Sequence, residues 1–154
     1  MHFRGQYDFL SNFYPATVKD YPTVENAYQA AKCSDINDRE SFKHCTPGQA
    51  KRMGRRVKCI PNWNDKRIYV MYKALQLKFA NPVLRDRLLA VSDEGEEKLI
   101  EENTWHDNFW GVCTCNTEKC HSANWQNWLG NLLTAVRCEH LGITHKYSFD
   151  PTHK

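Results

Sequence analysis

Apolar side chains recur every three or four residues in the central and C-terminal parts of the chain, where they predict three amphipathic helices. The longest covers 64–80, and a shorter one follows at 83–90. The last covers about 125–140, and Gly142 is a suitable residue for its end. The apolar positions of these helices are Ile68, Met71, Tyr72, Leu75, Phe79, Leu84, Leu88, Leu89, Trp128, Leu129, Leu132, Leu133 and Val136.

Helix-start signals predict two further helices nearer the N-terminus. Thr23 can cap a helix over 24–33, a segment rich in Ala and Gln. Thr46-Pro47 places proline in the first turn of a helix that reaches about residue 56. A short strand is predicted at 98–102, whereas 1–22 is irregular or strand-like and 103–124 is a polar, cysteine-rich loop.

These elements predict a mainly α (α+β) fold, helix-rich with a few short strands. We expect one compact domain over 1–154, with a core at about 3–142 and a loose tail at 143–154. A chain of 154 residues can bury one real core, while two halves of it would each be marginal. The composition, 41% hydrophobic and 25% charged, is typical of a globular protein and does not change this prediction.

The formal net charge of +3 is too small to indicate a nucleic-acid binder by itself. Basic residues are dense at 51–58, and this patch either binds phosphates or is a solvated helix face. The chain has neither an apolar N-terminal stretch nor a run of roughly 20 apolar residues, so we expect no membrane association and a cytoplasmic location. In a reducing compartment its seven cysteines are thiols or metal ligands before they are disulfides.

Glu25 and Lys32 are seven residues apart, nearly two helical turns, and therefore lie on one face of the first predicted helix with Tyr28 and Gln29. A carboxyl and an amine on one face can serve as acid and nucleophile. The alternative is an ion pair spread along a helix surface. The small neighbours Ala27, Ala30 and Ala31 allow close packing, which would bring the polar face near a core.

Three other groups could carry chemistry. Asp107 to Gly111 places a carboxylate beside Trp110 and a flexible glycine, as in a binding loop or an ordinary turn. Asn12-Phe13 and Asn127 to Gly130 contain asparagines that could contact a base or a sugar hydroxyl, or could simply form turns and caps. A zinc site from Cys113, Cys115, Cys120 and His121 is the minority alternative to unligated loop thiols, because the spacing is unusual.

Taken in order, these segments resemble the NADAR family of YbiA-like N-glycosidases. No single stretch is specific, but the ordered set spans 9–137. The matching residues are Phe9 to Phe13, Pro22 to Lys32, Ala50 to Gly54, Asn62-Trp63, Met71, Lys73 to Leu75, Lys78-Phe79, Asp107, Trp110-Gly111, Asn127 to Gly130, Leu133 and Arg137.

The resemblance implies hydrolysis of the N-glycosidic bond between a base and a phosphorylated ribose. The preferred substrate is ADP-ribose on guanine in DNA or RNA, which would make the chain an ADP-ribosyl hydrolase. The alternative is a ribosylamino-pyrimidine phosphate of riboflavin biosynthesis. No cofactor is expected, and the oligomeric state is not fixed by the sequence.

The site residues follow from the same resemblance. Glu25 is predicted as general acid/base, and Lys32 as a Schiff-base nucleophile or, alternatively, as a phosphate-binding or orienting group. Asp107 is predicted to hold a ribose hydroxyl or to stabilise the developing cation, and Lys51 to bind phosphate. The predicted substrate contacts are Asn12, Phe13, Tyr28, Gln29, Lys51, Gly54, Trp63, Trp110, Gly111, Asn127 and Gly130.

Two classes of protein compete with this interpretation. A non-catalytic module would bind ADP-ribose or a modified base through the same residues without cleaving it. A small zinc-containing nucleic-acid adaptor would instead be built on the cysteine cluster. Release of free ADP-ribose excludes the first class, and the absence of stoichiometric zinc excludes the second.

Overall fold

The computed structural model describes residues 2–91, 99–147 and 149, and in them the chain is mainly helical. Within these residues, a 3-10 helix at Gly5–Leu10 precedes seven α-helices and one pair of short strands. The helices are α1 Val24–Lys32, α2 Ile36–Ser41, α3 Pro47–Met53, α4 Trp63–Lys78, α5 Pro82–Leu89, α6 Glu118–His121 and α7 Trp128–Leu141, and the strands are β1 Glu102–Asn103 and β2 Val112–Cys113. The predicted mainly α (α+β) class is confirmed.

The chain divides into two compact units. We call Asn12–Leu84 with Tyr147–Lys154 the helical unit, and Met1–Ser11 with Arg85–Lys146 the mixed unit. The prediction of one domain over the whole chain stays a prediction, and the tail beyond 149 lies outside the described residues.

In the helical unit, α1 packs against α2, α3 and α4. Its start is fixed by Thr23, whose hydroxyl accepts a hydrogen bond from the Asn26 amide at 3.1 Å. The fully buried Asn26 side chain donates to the carbonyls of Phe42 (2.9 Å) and Cys45 (2.8 Å). These bonds tie α1 to the segment between α2 and α3, where Ala30, Cys33, Phe42 and Ala50 form an apolar core.

In the mixed unit, β1 and β2 pair in parallel, with Glu102 opposite Val112 and Asn103 opposite Cys113. The first amides of α7 have no partner inside their own helix. They are satisfied here because Trp128 donates to the Phe109 carbonyl (3.0 Å) and Leu129 to the Trp110 carbonyl (2.9 Å). The loop between the strands is thereby held at the start of α7.

Several predicted boundaries are confirmed and others need correction. α1 and α3 begin after Thr23 and Thr46 as predicted, and α7 ends at Gly142, whose φ of 71° is left-handed. The strand predicted at 98–102 begins only at Glu102, and position 98 lies outside the described residues. Two regions predicted to lack helix contain it, the 3-10 helix within 1–22 and α6 within 103–124.

No helix in the described ranges combines the length and the apolar character needed to cross a lipid bilayer.

Candidate functional site

The polar face of α1 forms as predicted. Glu25 is only 8% exposed, and its Oε1 accepts a hydrogen bond of 2.9 Å from Nε2 of Gln29, one turn further along. Lys32 is half-buried, and its Nζ donates to the carbonyl of Gly54. The carboxyl and the amine therefore lie on one face of the helix, and both are engaged with protein groups.

Backbone bonds position both ends of this face. The Glu25 amide donates to the Asn12 carbonyl at 3.1 Å, which anchors the first turn of α1. At the other end, the Lys32 carbonyl accepts from the Ile60 amide at 2.9 Å. The fold thus fixes the main chain at Glu25 and Lys32 independently of their side chains.

Gly54 is required where it lies because of its close approach to Gln29. A Cβ added to Gly54 would lie 1.9 Å from Oε1 and 2.5 Å from Cδ of Gln29. Only a glycine leaves room for the Gln29 amide to reach Glu25 in this arrangement. The prediction that Gly54 belongs to the site acquires a physical reason, although contact with substrate stays a prediction.

Two buried amide oxygens near this face have no hydrogen-bond partner among the described residues: Oδ1 of Asn12 and Oε1 of Gln29. The Asn12 Nδ2 approaches only the Met71 sulfur, at 3.5 Å. A buried acceptor without a donor costs roughly 1–3 kcal/mol, so native proteins usually satisfy it with water or a ligand. Both residues were predicted to bind substrate.

The aromatic residues of the helical unit differ in accessibility. Tyr28 and Trp63 are buried, with ring centroids 5.2 Å apart and planes tilted by 53°. The Tyr28 ring of α1 packs against the Trp63 ring of α4. The predicted substrate contact at Trp63 therefore requires its ring to become accessible. Phe13, in contrast, is 41% exposed beside Asn12.

Basic residues are concentrated in α3 and in the segment directly after it. Lys51 is half-buried in α3, and Arg52, Arg55, Arg56 and Lys58 are exposed. Sequence reasoning gave no role to Lys78, which is 1% exposed with its Nζ 5.7 Å from the centre of the Tyr14 ring. The only sequence signal for this buried cation was its place in the family pattern.

A cavity of about 420 Å³ lies on another face of α1, beside Ala27, Ala30 and Ala31. Its lining includes none of the residues predicted to act on substrate. Volume alone does not make this cavity the site, because the Glu25 carboxyl, the Gln29 amide and the Lys32 amine lie elsewhere on the helix, and Asn12 is not among the lining residues.

In the mixed unit, Asp107 organises a tight turn. Its Oδ1 accepts from the amides of Phe109 (2.9 Å) and Trp110 (2.8 Å). The Asn103 side chain bonds both main-chain groups of Asp107, donating to its carbonyl at 2.7 Å and accepting from its amide at 3.1 Å. Trp110 is half-buried with its ring edge-on to Phe109. Both alternatives for this loop stay open, since a turn and a substrate contact can share one carboxylate.

The geometry gives structural roles to Asn127, Gly130 and Gly111, whose contacts with substrate stay a prediction. Asn127 is 1% exposed, donates to the Leu99 carbonyl (2.9 Å) and accepts from the Glu101 amide (3.1 Å). A Cβ on Gly130 would lie 1.9 Å from the Leu99 carbonyl oxygen. One on Gly111 would lie 2.3 Å from the Glu101 carbonyl oxygen. Gly111 and Gly130 thus allow close packing against the 99–103 segment, and the Asn127 side chain forms hydrogen bonds with the backbone of that segment.

The cysteine cluster contains a different histidine from the predicted one. Cys113, Cys115 and Cys120 come together with His106, and their ligand atoms lie within 4.8 Å of one another. His121 instead donates from Nε2 to the Cys115 carbonyl at 2.6 Å. Hydrogen bonds from the Thr117 hydroxyl and amide lower the pKa of the Cys115 thiol to about 6. The upstream His in Trp105-His106-Asp107 was the sequence signal that could have identified this residue.

The chain is similar to known proteins in sequence and in structure. The NADAR domain family matches residues 2–141. N-glycosidase YbiA of Escherichia coli K12 is 40% identical over 113 residues, which cover 68% of each chain. The riboflavin biosynthesis protein PYRR of Zea mays is 32% identical over 156 residues, 86% of this chain but only 23% of the maize protein.

A solved structure gives the same result at the level of the fold. The NMR structure of E. coli YbiA aligns with a TM-score of 0.73 at 32% identity, over 96% of this chain and 90% of that one. The family match and this structure each cover nearly the whole chain. The chain therefore belongs to the NADAR family.

Proposed function

We propose that this protein is an N-glycosidase that hydrolyses the bond between a base nitrogen and the anomeric carbon of a phosphorylated ribose. Support comes from the buried carboxyl of Glu25, which lies on one face of α1 with Gln29 and Lys32. The amide oxygens of Gln29 and of nearby Asn12 are buried and have no hydrogen-bond partner among the described residues. Sugar hydroxyls donate hydrogen bonds of the kind that these oxygens lack. Relatives named N-glycosidase YbiA support the same reaction class.

In the proposed reaction, water adds to the anomeric carbon and the base leaves with a proton. The departing nitrogen gains electrons while the sugar becomes cationic. Glu25 serves as general acid/base, because a positioned carboxyl can give a proton to the leaving nitrogen or take one from water. Gln29 keeps the carboxyl oriented through its 2.9 Å hydrogen bond.

Two roles for Lys32 remain to be separated. Its hydrogen bond to the Gly54 carbonyl supports an orienting or phosphate-binding role. The covalent route needs a neutral amine that leaves this carbonyl and attacks the anomeric carbon while the base departs with a proton. The C–O bond of the ribose ring then breaks to give an open-chain Schiff base, which water hydrolyses to free sugar and free amine. Borohydride added during turnover reduces such an intermediate to a stable adduct, which mass spectrometry finds on Lys32. No adduct, together with an active Lys32→Ala variant, contradicts the covalent route.

The substrate class has two candidates. Relatives named for riboflavin biosynthesis in Z. mays and Arabidopsis thaliana favour a ribosylamino-pyrimidine phosphate, although this chain spans only 23% and 12% of those proteins. ADP-ribose on guanine in DNA or RNA, preferred on sequence alone, is favoured by the exposed basic run after α3. None of the seven cysteines is in a disulfide, which suits a reducing compartment such as the cytoplasm.

One assay tests the function and separates the substrates. Wild-type protein and Glu25→Gln are incubated in parallel with ADP-ribosyl-guanine DNA and with the ribosylamino-pyrimidine phosphate, and the released base and sugar are separated by chromatography. We expect release from one substrate by the wild type, reduced by roughly 100-fold or more in the variant. Retention of DNA without release would indicate a binding module, and inertness toward both substrates would contradict the proposal.

A further inference from the structure

The mixed unit contains a compact group of metal-binding side chains that the proposed reaction does not use. The sulfurs of Cys113, Cys115 and Cys120 and the ring nitrogen of His106 all lie within 4.8 Å of one another. Nδ1 of His106 is 3.3 Å from the Cys120 sulfur and 3.4 Å from the Cys115 sulfur. Three thiols and one imidazole are together a complete set of four ligands for a single metal ion.

We propose that these four residues bind a structural Zn²⁺ ion with tetrahedral Cys₃His coordination. Bonds of about 2.3 Å to sulfur and about 2.1 Å to nitrogen separate tetrahedral ligand atoms by roughly 3.5–3.8 Å. The two separations from the His106 nitrogen, 3.3 and 3.4 Å, therefore need to grow by only a few tenths of an ångström to admit the ion, and no pair of the four ligand atoms is more than 4.8 Å apart.

The fold supplies these ligands from separate places along the chain. Cys113 ends β2, Cys120 lies in α6, and Cys115 lies between them. His106 follows β1, whose parallel pairing with β2 brings it to the cysteines. A site made from 113–121 alone would need one short loop to wrap around the ion. The strand pair removes this difficulty, because it adds the fourth ligand from outside that loop.

The backbone at His106 is held in an uncommon conformation. Its φ of 69° is left-handed, which non-glycine residues adopt rarely and mostly where surrounding contacts impose it. The neighbouring turn is bonded on both sides by Asn103, which fixes where the chain passes His106. The conformation directs Nδ1 toward Cys115 and Cys120.

Groups around the cluster support the ligands. The Thr117 hydroxyl lies 3.1 Å from the Cys115 sulfur, where it can donate to the bound thiolate. His121 holds the Cys115 main chain through its carbonyl. Hydrogen bonds of this kind to a metal ligand orient the ligand and adjust the affinity for the metal.

The ligand set defines the metal and its role. Thiolates with an imidazole in tetrahedral geometry favour Zn²⁺, and four protein ligands leave no open position for substrate. Three thiolates and a neutral imidazole around Zn²⁺ give the bound centre a net charge of −1. The ion therefore stabilises the loop between β1 and β2, which includes Asp107 next to His106, and takes no part in bond cleavage.

Metal content and spectroscopy test the site without reference to activity. The full chain is purified under a thiol reductant, and its zinc is measured by mass spectrometry. We expect about one zinc per chain, and Co²⁺ replacement should give the visible bands and thiolate charge-transfer absorption of tetrahedral cobalt. Removing the ion with a chelator should lower the Tm by roughly 5–10 °C.

Variants identify the ligands. Cys113→Ser and His106→Asn should each weaken zinc affinity by about 100-fold or more in competition with a chromophoric chelator. Cys59→Ser, which changes an exposed thiol outside the cluster, should retain stoichiometric metal. His121→Asn removes only the hydrogen bond to the Cys115 carbonyl and should weaken zinc affinity less than His106→Asn does.

Three results would overturn the proposal. These are zinc-free wild-type protein without a tetrahedral cobalt spectrum, a native disulfide within the cluster, or iron–sulfur absorption in place of zinc. Loss of metal in His121→Asn but not in His106→Asn would overturn the ligand set. None of these results depends on N-glycosidase activity, so the two proposals stand or fall separately.

Discussion

Glu25 is the residue on which the proposed chemistry depends most, through its carboxyl group. Replacing it by glutamine keeps the size of the side chain and an oxygen that can accept from Gln29, but removes proton transfer. We expect Glu25→Gln to fold normally and to lose about 10²–10⁴-fold in kcat. The measurements are kcat and Tm, with Glu40→Gln as the control, since that exposed carboxylate only pairs with Lys43 on the surface. Near wild-type turnover by Glu25→Gln would remove the assignment.

Asp107 offers a paired test of charge against turn geometry. Asparagine can still accept the amide hydrogen bonds of Phe109 and Trp110, whereas alanine cannot. If the charge of Asp107 acts on the substrate, Asp107→Asn loses about 100-fold in kcat while its Tm stays near wild type. If Asp107 only forms the turn, Asp107→Asn is nearly as active as wild type and Asp107→Ala alone is impaired. Kinetics and thermal unfolding of both variants decide between these roles.

Single residues were predictable where their neighbours in sequence determine them. The shared face of Glu25 and Lys32 follows from helical periodicity, and the structure has it. The roles of Asn127 and Gly130 depend on Leu99 and Glu101, which lie about thirty residues earlier in the chain. No pattern in the local sequence predicts that these residues meet. His106 was missed for a related reason, because its partners reach it through strand pairing.

Helices with strong periodicity or caps were predicted within a few residues. α4 was expected at 64–80 and lies at Trp63–Lys78. Its buried Met71 and Leu75, with Phe79 directly after its last residue, form the apolar stripe that predicted it. α2 was missed although Asp35 caps it through the Asn37 amide, because six mostly polar residues without a buried member show no apolar period. Strands of two residues are likewise too short for an alternating pattern.

The contact between α7 and the 99–103 segment gives a prediction at the level of elements. Alanine at Gly130 would place its Cβ against the backbone oxygen of Leu99, which cannot rotate away as a side chain could. We expect Gly130→Ala to be destabilised by about 1–3 kcal/mol and to lose roughly 3–10 °C in Tm.

Gly48→Ala is the matched control for this substitution. Gly48 lies in α3, and the nearest atom to an added Cβ is the flexible end of Arg52, 3.8 Å away. It should leave stability unchanged or raise it by about 0.4–1 kcal/mol, because alanine restricts the unfolded chain. Equal Tm values for the two variants would show that the close approach at Gly130 is not a packing constraint.

For the whole molecule, the dependence of KM on salt distinguishes the two substrate classes. A nucleic-acid substrate held by the basic run should bind with a steep dependence on salt, of about 0.7–0.9 logarithmic units per phosphate neutralised. Arg55→Gln should reduce that slope by the amount that corresponds to about one phosphate contact. Lys66→Gln, an exposed cation in α4, is the control. A shallow dependence that Arg55→Gln does not change would favour a small metabolite.

Crowding around α1 limits how this protein can evolve. Seven consecutive residues of that nine-residue helix, Val24 to Ala30, are buried, so replacing any of them disturbs a neighbour. Low activity after mutation there is ambiguous, because a poorly folded protein and a chemically impaired one give the same reading. Abundance must be scored alongside turnover in any mutational scan. Divergence toward new leaving groups should accordingly accumulate at surface positions such as Phe13, which can change without repacking the interior.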